Sequence, residues 1–77
     1  MNREFVLFNL REALEELERT IKEIETDPEY EEGDFMPAMT HLYHHVNTAW
    51  NARDASQEKA EAGNEEDFVA WNQFPAG

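Results

Sequence analysis

The sequence predicts an all-α fold: an antiparallel helical hairpin plus a short C-terminal helix, with two chains paired as a homodimeric four-helix bundle. Three observations carry that expectation. Leu7, Leu10, Leu14, Leu17, Ile21 and Ile24 recur at alternating steps of three and four, the a/d spacing of a heptad seam. Residues 1–27 contain neither Gly nor Pro, the two strongest helix breakers. Large apolar side chains also remain outside the heptad stripe, more than a two-helix hairpin can cover.

The chain divides into a helix over 2–27, an acidic loop over 28–35, a helix over 36–62 and a short helix over 65–74, all within one domain, 1–77. In the first helix Asn2 is placed to cap the N-terminus. Glu15 with Arg19 and Glu18 with Lys22 are favourably ordered i,i+4 pairs. Asp27-Pro28 ends it, because the residue before proline is pushed out of helical geometry. Glu23, Glu25 and Asp27 oppose the helix dipole at that end, so fraying is expected there.

The segment ETDPEYEEGD, residues 25–34, carries six acidic side chains. It does not match a calcium-binding EF-hand loop. Counted from Asp27, Gly33 falls one place late and the twelfth position is Ala38 instead of Glu. It reads as a solvated connection.

In the second helix Asp34 is the expected cap and Pro37 sits in the first turn. Met39, Leu42, Val46 and Ala49 form its core stripe, with Tyr43 and Trp50 on one flank. Ser56–Ala62 continues the helix by propensity but has little to bury, and Gly63 supplies the stop. In the last segment Asn64 caps, Glu65, Glu66 and Asp67 suit a first turn, and Pro75 ends the element. Phe68, Trp71 and Phe74 share one side.

Composition narrows the function classes. The 77 residues include no cysteine, which removes disulfides and thiolate metal sites and fits a reducing compartment. The formal charge of −12 repels nucleic-acid phosphates and anionic lipid. The longest aliphatic and aromatic run is Phe5–Phe8, against the ~20 residues of a membrane span. No signal-peptide pattern opens the chain, so a cytoplasmic location is expected.

Three histidines, His41, His44 and His45, are the candidate metal ligands. His41 and His45 stand one helical turn apart and could reach one ion. Relative to Val46, His45 lies about 100° round the helix, at the edge of the apolar stripe; His41 and His44 lie at roughly 140° and 160°, on the polar side. Glu12, Glu15, Glu16, Glu18, Glu23 and Glu25 flank or oppose the leucine stripe, and no Glu stands three residues before a histidine, so the di-iron bundle pattern is absent. A rim of surface or interface histidines is therefore favoured over a metal centre. Ser56 is the only serine and has no histidine near it in sequence, so no nucleophile and no catalytic residue is assigned.

The leading expectation is an acidic cytoplasmic protein that acts by self-association or protein–protein interaction, without catalysis and without a cofactor. Phe5, Phe8, Trp50, Phe68, Trp71 and Phe74 are its expected contact surface, toward a second copy or another protein. The tail aromatics are expected to pack on the protein itself rather than in a foreign groove. The alternative is a metal-binding protein or metalloenzyme built on His41, His44 and His45.

Overall fold

The computed structural model describes residues 1–75; Ala76 and Gly77, which the single-domain expectation includes, lie outside the described residues. It is all-helical, with a long helical hairpin of α1 (Arg3–Thr26) and α2 (Glu32–Asn51), followed by α3 (Gln57–Ala62) and α4 (Glu65–Trp71).

The first helix begins and ends where local chemistry requires. Asn2 Oδ1 accepts from the Phe5 backbone at 3.1 Å. Asp27, ahead of Pro28, is extended (φ −113°, ψ 104°), and its side chain accepts from the Glu29 backbone at 2.9 Å in a tight turn. The second helix starts earlier than expected, at Glu32, because Asp34 Oδ2 reaches back to the Glu31 backbone N–H at 3.1 Å. Asp34 thus stabilises the first turn from inside instead of capping it, and Pro37 lies within the helix.

The expected helix over 36–62 is two helices. Asn2 explains the break: its backbone N–H donates to the Arg53 carbonyl at 2.6 Å and its side-chain amide to the Ala55 carbonyl at 3.1 Å. The Arg53 carbonyl is the acceptor that a continuing helix would have needed four residues later. Ser56 then caps α3, accepting from the Lys59 backbone at 3.1 Å. Gly63 closes α3 at φ 62°, a left-handed conformation that a Cβ disfavours.

The main correction concerns which face is inside. The leucine stripe of α1 does not face α2. Leu7, Leu10, Leu14, Leu17, Ile21 and Ile24 are all exposed, Leu14 and Ile21 by 54%. The buried residues of α1 are Asn9, Ala13, Glu16 and Thr20. On α2, Val46 and Trp50 of the expected stripe and its flank are exposed, while His45, Thr48 and Ala49 are buried. The hairpin seam therefore uses small and polar side chains. Ala13, Ala49 and Ala52 supply its apolar part.

Both apolar stripes lie on one side of the hairpin. Val6 of α1 shares a groove with Val46 and Trp50 of α2, and Ile24 shares another with Phe35. The tail lies along the opposite side. Trp71 packs edge-on to Phe5 at 5.7 Å, Phe68 lies 4.5 Å from the His44 ring, and Phe74 meets Tyr43 at 5.4 Å. Two asparagines of α2 hold the end of α4. Asn47 Nδ2 donates to the Asn72 carbonyl at 3.1 Å, and Asn51 Nδ2 donates to the Trp71 carbonyl at 2.7 Å and to the Gln73 carbonyl. The Trp71 carbonyl is one that the end of α4 leaves without an internal donor.

Candidate functional site

The three histidines differ in burial: His45 is buried, His44 half-buried and His41 exposed. α2 turns His45 into the seam, where it is 9% exposed, and sets His41 beside it one turn earlier. Glu16, expected at a flanking or outward position of α1, is 6% exposed and lies against His41. Asn9, two turns before Glu16, meets His45. The antiparallel register thus matches Asn9 with His45 and Glu16 with His41.

The contacts form one continuous chain. Arg19 donates to Glu16 Oε2. The same oxygen lies 3.2 Å from His41 Nδ1. His41 Nε2 lies 3.1 Å from His45 Nε2, and His45 Nδ1 lies 3.1 Å from Asn9 Oδ1. Asn9 Nδ2 donates to the Phe5 carbonyl at 3.0 Å.

The donors and acceptors along this chain can be counted. The Phe5 carbonyl only accepts, which turns the Asn9 amide nitrogen toward it and the Asn9 oxygen toward His45. His45 Nδ1 must then carry a hydrogen. At the other end, burial pushes the Glu16 carboxyl up. Hydrogen bonds from Arg19 and His41, with their charges, outweigh that and hold it below the ordinary carboxylate value. The ionised carboxylate only accepts, so His41 Nδ1 carries a hydrogen too. With both Nδ1 atoms protonated, the two neutral rings would face each other Nε2 to Nε2 with lone pairs 3.1 Å apart. A cation between them removes that repulsion. A proton there makes one ring an imidazolium, balanced by Glu16. Burial, and then the neighbouring His41 and His44, push His45 below its ordinary value.

His44 stands apart from this pair. Its Nδ1 is 3.3 Å from Asn72 Oδ1 and its ring lies against Phe68. A groove of about 650 Å³ opens over His41, His44 and His45 on the tail side, walled by Met36, Phe68 and Asn72. Among the described residues, no group of three or more His, Asp or Glu side chains is arranged to hold a metal ion. His41 and His45 are a pair of nitrogen donors beside an open groove.

The expected contact residues are divided between the two sides of the hairpin. Phe5, Phe68, Trp71 and Phe74 make their aromatic contacts within the chain, and Phe8 lines the same tail-side groove as Trp71. Trp50 lies on the leucine side, with the Arg53 guanidinium 3.9 Å above its ring. Asn9, Glu16 and Thr20 were missed by the sequence reading. A signal for them existed: Asn9, Ala13, Glu16 and Thr20 repeat at steps of four, three and four, a second heptad stripe of small and polar residues.

Together these features define an all-α helical hairpin with a polar, histidine-containing seam, one side carrying its own tail with a groove between them and the other side apolar and open. No protein-family model, curated protein or solved structure matches the chain. No helix among the described residues is long and apolar enough to cross a membrane.

Proposed function

We propose that this protein works by self-association: two hairpins join through their leucine faces into a homodimeric four-helix bundle, which is its interaction unit. The exposed heptad stripe of α1, Leu7 through Ile24, carries this reading. On α1 that stripe is centred about 100° from the face that meets α2, and the apolar stripe of α2 is offset by a similar angle from its own seam face. A helix in a four-helix bundle needs two contact faces at roughly this separation, one for each neighbour.

Size supports the same reading. The chain exposes 5911 Å², whereas a compact 9.0 kDa monomer is expected to expose about 4,900 Å². The excess, roughly 1,000 Å², is similar to the ~800 Å² that each partner contributes to a standard interface. The radius of gyration is 14.1 Å, against about 11.5 Å expected for a compact domain of this length.

Light scattering on wild type and on Leu14→Glu with Leu17→Glu tests the proposal. A wild-type dimer that becomes monomeric in the variant supports it. A wild-type monomer at all accessible concentrations overturns it, as does a dimer indifferent to both substitutions.

A further inference from the structure

We propose that His41 and His45 form a two-imidazole binding site for a divalent transition-metal ion of the zinc class. The separation of the ligand atoms is the first argument. Zinc–nitrogen bonds of about 2.0–2.1 Å set two tetrahedral ligands roughly 3.3 Å apart, and six-coordinate neighbours roughly 3.0 Å apart. His41 Nε2 and His45 Nε2 are 3.1 Å apart, between those two values.

The second argument is orientation. A metal-bound imidazole presents one nitrogen to the ion and donates from the other to a carboxylate or carbonyl. Here both Nδ1 atoms are turned away from the pair, His41 to Glu16 Oε2 and His45 to Asn9 Oδ1. Both acceptors are fixed from behind: Glu16 by Arg19, Asn9 by its bond to the Phe5 carbonyl. The rings are thus set in the tautomer that leaves Nε2 free for an ion. The third argument is access. The groove of about 650 Å³ over the pair leaves room for water or a small anion to complete the coordination.

Thiolate-preferring ions are disfavoured by two nitrogen donors, and calcium or magnesium would prefer oxygen. The site lies on the tail side, away from the leucine face, so it stands or falls separately from dimerisation.

Titration calorimetry and native mass spectrometry with zinc chloride test the site. The protein should be untagged, and excess magnesium should occupy its surface carboxylates. One zinc per chain is expected. His41→Gln, at a half-exposed position, should weaken binding at least tenfold while the helical circular dichroism is kept. Glu16→Gln should weaken it by roughly 10–100-fold, the usual effect of losing a supporting carboxylate. Nitrogen chemical shifts should move at Nε2 of His41 and His45, and not at Nδ1. A double change in the acidic loop, Glu25→Gln with Glu29→Gln, should leave binding unchanged. The proposal is overturned if zinc binds no better than magnesium, if His41→Gln binds like wild type, or if the loop variant loses as much affinity as His41→Gln.

Discussion

Asn9, Glu16, His41 and His45 are polar residues placed where a hairpin ordinarily puts leucine. Their cost is reduced because Glu16, the Asn9 amide and both histidine Nδ1 atoms have hydrogen-bond partners. Acid should expose the weakness of this arrangement. The folded protein holds both Glu16 and His45 below their ordinary values of 4.5 and 6.5. In each case the unfolded chain binds the proton more readily, so stability rises with pH and is lost as pH falls. The His45 contribution is complete above 6.5 and declines below it, and the Glu16 contribution declines below 4.5. Urea midpoints measured for the metal-free protein from neutral to acid pH should fall in that order. Glu16→Gln should flatten the lower part of the curve. A midpoint independent of pH would show that the seam does not carry this linkage. The sequence showed the histidines but not their partners, because Glu16 is one of many acidic residues and only the register of α1 against α2 selects it.

At the scale of elements, the first helix was the most legible. Its apolar period, its Asn2 cap and its Pro28 stop are local features, and the observed Arg3–Thr26 follows them closely. The second helix is shorter than its sequence predicts, since Ser56–Ala62 has helical propensity and the interruption is imposed by Asn2 from the far end of the chain. The tail is held by few bonds and should yield first. Replacing Asn47 and Asn51 by Ala together removes the donors to the Trp71, Asn72 and Gln73 carbonyls. Each lost bond should cost about 0.5–1.5 kcal/mol. Hydrogen exchange should then rise in residues 64–75 while α1 and α2 keep their protection. Equal acceleration throughout would mean that the tail and hairpin open as one unit.

For the whole molecule, the proposed dimer makes two conditions matter. A dimer that stabilises the fold gives a melting temperature that rises with protein concentration. Each chain carries a formal charge of −12, so pairing brings two strongly acidic bodies together. Salt screens that repulsion. Sedimentation at low and at physiological ionic strength should therefore show tighter association in the saltier buffer. Weaker association with added salt would point instead to ion pairs across the interface. Trp71→Ala should act on the tail, because Trp71 packs on Phe5 of its own chain. It should loosen α4 and leave the leucine face intact.

The sequence alone determined that the chain is helical, where the first helix starts and stops, and which residues form an apolar stripe. These properties depend on neighbours within one or two turns. The tertiary structure decided which stripe faces which neighbour. α1 carries two stripes of the same period, leucine-rich and small-polar, and periodicity cannot rank them. The alanine, asparagine, glutamate and histidine stripe became the hairpin seam, where small residues pack and the polar ones complete one another across the helices. That choice left the leucines facing outward and brought Glu16 to His41, converting a histidine-rich stretch of helix into an oriented pair of imidazoles.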